Sequence, residues 1–371
     1  MYGNGQTVTS LLDELAPKRY AVEDDRIGLQ VGSLAKEVRR VLVTLDVTEE
    51  VADEAIREGA ELIIAHHAPI YRPLKSLRTD TPAGKVFEKL IKHDVAVYVA
   101  HSNLDAAVGG INDLMADAIG LTDTVPLDPT YTERRKKLVV YVPTDHADQV
   151  ADALFRSGAG HIGRYSHCSF RSNGTGTFLP LTGTNPFIGQ EGQLEQVDEI
   201  RLETILSETG ERRVVRAMLE AHPYEEPAYD LYPLELPGET FGIGRTGKLA
   251  QPCTLDELAE RVKTGFEVPF VRIVGRGDTV IKKAAVLGGM GADYVSHAQF
   301  AGADVLITGD IDYHTAHDAL AAGMCLIDPG HNAEKIMRTG VADYLNRRLR
   351  ERKLDTIAMA SSVDTEVFRL R

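Results

Sequence analysis

The chain has 371 residues, 43% of them hydrophobic, enough apolar material for a large core and, at about 100 to 200 residues per domain, for two or three domains. With 41 Lys plus Arg against 55 Asp plus Glu the formal net charge is −14, so a polyphosphate partner is disfavoured, and the basic stretches Arg134 to Lys137 and Arg347 to Lys353 read as solvated faces or helix ends. Cys168, Cys253 and Cys325 are too scattered for a disulfide framework or a metal knuckle, and no basic leader or run of about 20 apolar residues is seen, so a cytoplasmic protein without a membrane partner is expected.

From Val38 to Ala100 short β-branched runs alternate with amphipathic segments: VRRVLVTLDV, a helix over Val51 to Glu58, ELIIAHH, a helix over Gly84 to Lys92, then VAVYVAHS. This alternation predicts an α/β layered sheet. Between Lys136 and Leu236 the rhythm changes to strand, helix, strand, strand, helix, strand: KLVVYVP, His146 to Arg156, HCSFRS and TGTFLP, EIRLETIL, Arg212 to Glu220, and AYDLYPL. That order predicts an inserted ferredoxin-like α+β unit, with one hairpin strand ambiguous. GAGHIGRY (Gly158 to Tyr165) lacks the spacing of a phosphate loop and reads as a turn leaving the helix. The α/β rhythm returns in KKAAVLGG, ADVLITGD, a helix over Tyr313 to Ala322, CLIDPGH and a long helix from Asn332 to about Arg350. The expected organisation is therefore two α/β halves, 1–135 and 237–371, forming one α/β body, with 136–236 inserted.

His66 and His67 end an apolar strand, and ligands of α/β sheets gather beyond the carboxyl ends of strands. Adjacent side chains in extended backbone point to opposite sides, so the pair reaches two ions more easily than it chelates one. Alone it would read as a surface or capping pair, but Asp105 follows the next strand, and His331 and Glu334 follow CLIDPG, spaced three apart on one helical face. Three imidazoles and two carboxylates suit two divalent ions, zinc first, with manganese or iron also suited, and Glu334 can bridge them. Five ligands for two ions leave open positions, as in catalytic sites. His101 and His314 are the expected catalytic residues, as proton shuttle or ligand orienter, each weighed against a structural role; His317 ranks below His314. His222, beside Glu225, Glu226 and Asp230, reads as a turn or subunit contact.

GLQVG, LDVTEEV, AHHAPIY, HSNLDAAVGGIND, TGDIDYH and DPGHNAEK together resemble the Nif-three-like dinuclear metal centre family, and the inserted GAGHIGRYSHCSF, GTNPFIG and AHPYEEPAYDLYPL resemble the PII/CutA-like domain of its longer bacterial members. Ala68-Pro69, Tyr71, Asp24 and GGMGAD depart from the usual pattern; all five ligand positions are kept. The resemblance implies a homohexamer with metal sites facing an internal cavity. It also implies that His67 and Asp105 hold one ion, His66 and His331 the other, and Glu334 both. It further implies homology to type-two GTP cyclohydrolase I, hence a metal-dependent hydrolase opening a purine imidazole ring, with a nucleotide as the small-molecule substrate. The alternative is a metal-binding regulator, store or chaperone with the insert as sensor or gate.

Overall fold

Val41 to Thr44, Leu62 to Ala65 and Ala96 to Val99 are buried at every position, as parallel strands are when helices cover both faces. In the computed structural model, which describes residues 1–369, they lie side by side in a five-stranded sheet. Its order is Ile357–Ala360, Arg40–Thr44, Leu62–Ala65, Ala96–Val99, Gly28–Val31, all parallel except the last pair. Two helices cover one face. Glu49–Glu58 begins where the Thr48 side chain accepts the Val51 N–H and ends at left-handed Gly59, and Pro82–Lys92 begins under a Thr81 cap with Pro in its first turn. Val51, Ala55, Phe87 and Leu90 pack there against Leu42, Ile63 and Val97.

A second sheet of six strands has the order Arg272–Val274, Cys325–Asp328, Val305–Gly309, Val280–Met290, Thr240–Thr254, Leu121–Thr132. One apolar core joins the two sheets: Val41, Val43 and Ile64 from the first and Val286, Val305 and Ile327 from the second share it with Leu12, Met115, Val262 and Leu345 of intervening helices. Because Ile357–Ala360 pairs with Arg40–Thr44, the end of the chain completes the sheet built by its beginning. The strands Leu121–Thr132 and Thr240–Thr254 were not expected. Leu121–Thr132 contains Pro126 and Pro129, which cannot donate to a ladder, and it is accordingly the last strand of its sheet.

The chain forms two compact units, 1–131 with 241–371, and 132–240. In the second, Arg135–Pro143, Ala147–Arg156, Ser169–Phe178, Glu195–Ser207, Glu211–Ala221 and Tyr229–Leu234 run strand, helix, strand, strand, helix, strand. The antiparallel sheet has the order Tyr229–Leu234, Arg135–Pro143, Glu195–Ser207, Ser169–Phe178, and Leu138, Val140, Leu202 and Leu206 bury one face under Val150, Leu154, Val214 and Met218. HCSFRS and TGTFLP, read as separate strands, prove to belong to one continuous strand, Ser169–Phe178. GAGHIGRY is a turn with Gly158, Gly160 and Gly163 at positive φ.

Arg245, 3% exposed, holds the first unit's loops together. Its guanidinium donates to the carbonyls of Gly242 (2.7 Å), Gly244 (2.8 Å) and Ala107 (2.8 Å) and pairs with Asp113. Truncation leaves three carbonyls and a carboxylate without their donor, so Arg245→Ala is expected to lose about 3–5 kcal/mol of stability in equilibrium urea unfolding.

Candidate metal centre

Each sheet ends its parallel strands on histidine or acid. His66 and His67 follow Leu62–Ala65, His101 follows Ala96–Val99, Asp310 follows Val305–Gly309, and His331 lies just beyond Cys325–Asp328. Asp105 sits in the short helix Ser102–Ala106, and Glu334 in the 3₁₀ turn His331–Ile336. The long C-terminal helix starts only at Met337, later than its sequence suggests. The tighter turn helps the site, because three residues per turn bring positions i and i+3 into register and aim His331 and Glu334 the same way.

The five expected metal ligands converge. Glu334, whose side chain is 3% exposed, presents Oε1 to His66 Nε2 at 3.7 Å and Oε2 to His67 Nε2 at 3.2 Å and His331 Nε2 at 3.4 Å. His66 Nε2 is 3.8 Å from Asp105 Oδ1, and the Nε2 atoms of His67 and His331 are 3.3 Å apart. Two donor sets result, His66 with Asp105 and His67 with His331, one on each oxygen of Glu334. The pairing implied by the resemblance put Asp105 with His67 and His66 with His331; the distances place Asp105 nearer His66 and His331 nearer His67. The reason is local: successive residues diverge, sending His66 inward to Asp105 and His67 outward to His331. His101 comes within ligand distance of both His66 and His67, forming a third candidate group with them. His314 does not join; it lies exposed on the helix Tyr313–Ala321, where Asp312 accepts its backbone N–H, and neither it nor His317 belongs to a donor group.

Every histidine here is oriented through Nδ1. His66 donates to the Ala100 carbonyl (2.9 Å), His67 to Asp46 (2.7 Å), His101 to Asp25 (2.9 Å) and His331 to Asp310 (2.7 Å). These acceptors fix the tautomer that leaves Nε2 free for a cation. Asp25 is itself anchored by Ser102, and Asp46 by Thr365 (2.5 Å). The orienting roles of Asp46 and Asp310 were not foreseen. Both follow strands, Arg40–Thr44 and Val305–Gly309, and an acid just beyond a strand end beside a strand-end histidine is the signal that could have found them.

Glycine makes room for the carboxylate. A Cβ on Gly288 or Gly289 would meet Glu334 Oε1 at 2.8 or 2.9 Å. Asn112, nearly buried, donates to the Asp105 carbonyl (3.0 Å) and accepts the Gly288 N–H (2.9 Å), tying the strand that cradles Glu334 to the helix that carries Asp105.

The donor set fits divalent metal. Buried His66 Nε2 and Asp105 Oδ1 have no hydrogen-bond partner, although an unsatisfied buried polar atom costs about 1–3 kcal/mol. They face each other across a gap too long for a hydrogen bond and suited to a shared cation. The charges are crowded to match. Burial pushes Asp105 up to about 6, with the Glu334 charge adding to it and His66 opposing. Burial would raise Glu334 too, but the surrounding imidazoles hold it well below the ordinary carboxylate range. His67 is lowered by burial and raised more strongly by Asp46 and Glu334, to about 10, and Glu334 lifts His331 to about 9. Beside His67 and His331 opens a cavity of about 730 Å³ walled by Phe270, Arg272, Asn332 and Phe368, so this donor set borders open space.

Residues 4–366 match the family described as Duf34/NIF3 (NGG1p interacting factor 3). A protein of Halalkalibacterium halodurans named GTP cyclohydrolase 1 type 2 homolog is 57% identical over 365 residues, 98% of either chain. A protein of the same name from Bacillus subtilis is 52% identical over 365 residues, again 98% of either chain. The Bacillus cereus protein related to NIF3, of known crystal structure, superposes over 100% of both chains with a TM-score of 0.95 at 51% identity. Among the described residues no helix is long and apolar enough to cross a membrane.

His67 and His331 hold protons in the metal-free protein until pH reaches about 10 and about 9, and a metal ligand must be deprotonated. Zn²⁺ binding is therefore expected to release protons at pH 7 and to tighten as pH rises toward 9. Calorimetry in buffers of different ionisation enthalpy reads the protons directly; an affinity flat across this range would contradict the ligand assignment.

Proposed function

The chain belongs to the Duf34/NIF3 family, and on that premise we propose that it is a dinuclear-metal-dependent hydrolase holding two divalent ions per subunit, zinc first. His66 and Asp105 would hold one ion and His67 and His331 the other, with Glu334 shared between the two donor sets. The observation that carries this reading is the division of Glu334, one buried oxygen to each donor set, with a cavity beside His67 and His331. Two ions held there would supply the Lewis acidity that polarises a scissile bond and lowers the pKa of water toward neutrality.

The chain's own groups supply the rest. His101 is the residue for proton transfer: its Nδ1 is fixed by Asp25, leaving Nε2 toward the donor cluster. Burial lowers its basicity, but Asp25 and Asp105 raise it more strongly, to above the ordinary imidazole value. Asp25 keeps its charge because its bonds to His101 and Ser102 outweigh burial and hold its pKa far below the usual carboxylate value. His314, exposed and outside the donor groups, is assigned no part in the transfer.

The name carried by the relatives makes a guanine nucleotide the first substrate to test, with opening of the imidazole ring as the reaction. We further assign the insert to the ferredoxin-like, PII/CutA-like class, supported by its strand and helix order, and the assembly to a cytoplasmic homohexamer.

The test is elemental analysis of protein purified without added metal, followed by turnover assays with GTP and with phosphoester and cyclic amide substrates using the native ion. Glu334→Gln should lose bound metal and turnover together, and Asp46→Asn, which only orients His67, should lose about 10–100-fold in metal affinity or rate. Metal-loaded wild type that turns over nothing faster than Asp105→Ala would sink the hydrolase and leave a metal carrier.

A further inference from the structure

The insert holds a cavity of about 680 Å³ with its own chemistry, contained wholly within residues 141–228. Its floor is the sheet face turned away from the helices. Along Ser169–Phe178 the residues Ser172, Gly174, Gly176 and Phe178 share this face, and Gly174 and Ser172 stand opposite Glu199 and Arg201 of the neighbouring strand. Two glycines in a row of alternate positions strip side chains from the floor. Gly176 lets the Glu199 carboxylate lie flat on the strand, since a Cβ there would meet Glu199 Oε2 at 2.2 Å, whereas a Cβ on Gly174 would meet nothing within 4 Å.

Glu199 is 8% exposed and lines this cavity. Oε1 accepts the Tyr224 hydroxyl at 3.0 Å, and among the described residues no cationic side chain pairs with it. The neighbouring Arg201 is committed to Glu203 Oε1 at 3.0 Å. Burying a carboxylate is costly unless charge or several donors compensate, and one hydroxyl is little compensation. Glu225, whose Oε2 accepts the Asn185 N–H at 3.1 Å, and Glu226 add negative charge to the rim. The wall beside the carboxylate is aromatic: Tyr224 lies 5.8 Å from Phe178 and 6.5 Å from Phe187, ring centre to ring centre. A buried carboxylate next to electron-rich ring faces in an acidic cavity is the arrangement that selects organic cations.

We propose that this cavity is a binding site for a small organic cation, an amidinium, guanidinium or protonated amine on a flat apolar body, with Glu199 as its counter-ion and Tyr224, Phe178 and Phe187 against its face. The site is independent of the metal centre and of any turnover there. His222 positions it: its Nε2 donates to the Tyr141 carbonyl at 3.0 Å and its Nδ1 accepts the Tyr224 N–H at 3.1 Å, fixing the turn that presents Tyr224.

The test uses the full-length protein and three probes of one shape: benzamidine, benzamide and benzoate. Calorimetry or saturation-transfer NMR should show benzamidine bound, benzamide weaker by about tenfold or more, and benzoate not bound. Glu199→Gln, which keeps an acceptor for Tyr224, should weaken benzamidine by about tenfold. Gly174→Leu, placed where the backbone is not left-handed and a side chain enters open space, should abolish binding without moving the melting temperature. Benzoate binding as well as benzamidine, or benzamidine binding that survives both substitutions, overturns the proposal. So does absence of binding with a sedimentation change in Gly174→Leu, since a second copy of the chain would then cover this face.

Discussion

A carboxylate that is 3% exposed cannot remain charged without help, and Glu334 sets what the rest of the first unit must supply. Imidazoles have to reach it from two directions, a glycine strand has to let it approach, and the chain carrying it has to turn tightly enough to bring His331 alongside. The two sheets meet these demands because both present the carboxyl ends of parallel strands to the same place, and one apolar core fixes their separation. Few of the groups at the centre could be moved without disturbing the protonation of another.

That coupling explains the acids around the histidines. An imidazole without a partner at either nitrogen can rotate and tautomerise; each of the four here is tied at Nδ1 by a carbonyl or a carboxylate. His66, the most buried, uses the neutral Ala100 carbonyl, whereas the three nearer to solvent use aspartates. A carboxylate partner raises the basicity of its histidine, so at His67 and His331 a proton would compete with any cation.

The insert follows a different economy. Its helices bury only one sheet face, and glycine at 174 and 176 leaves the other face open for the chain 179–194 and the turn at Tyr224 to enclose space. The first unit concentrates charge by bringing distant strand ends together, while the insert isolates one carboxylate among aromatic rings.

What could be read in the sequence follows from periodicity. Runs such as ELIIA and VAVYVA declare strands buried on both faces, residue types at their ends declare metal chemistry, and adjacent His66 and His67 must diverge because extended backbone alternates. The rhythm of apolar positions changes near Lys136 and changes back after Leu236, and the chain divides into the compact units 1–131 with 241–371 and 132–240. The strands Leu121–Thr132 and Thr240–Thr254 were not legible, because prolines mask the first and only its place at a sheet edge lets it pair. Which carboxylate meets which imidazole, that His331 and Glu334 sit in a 3₁₀ turn, and that Asp25, Asp46 and Asp310 hold the rings were decided by tertiary structure alone. Those contacts join residues as far apart in the chain as His66 and Glu334, and local pattern carries no information about how separated strand ends are superposed in space.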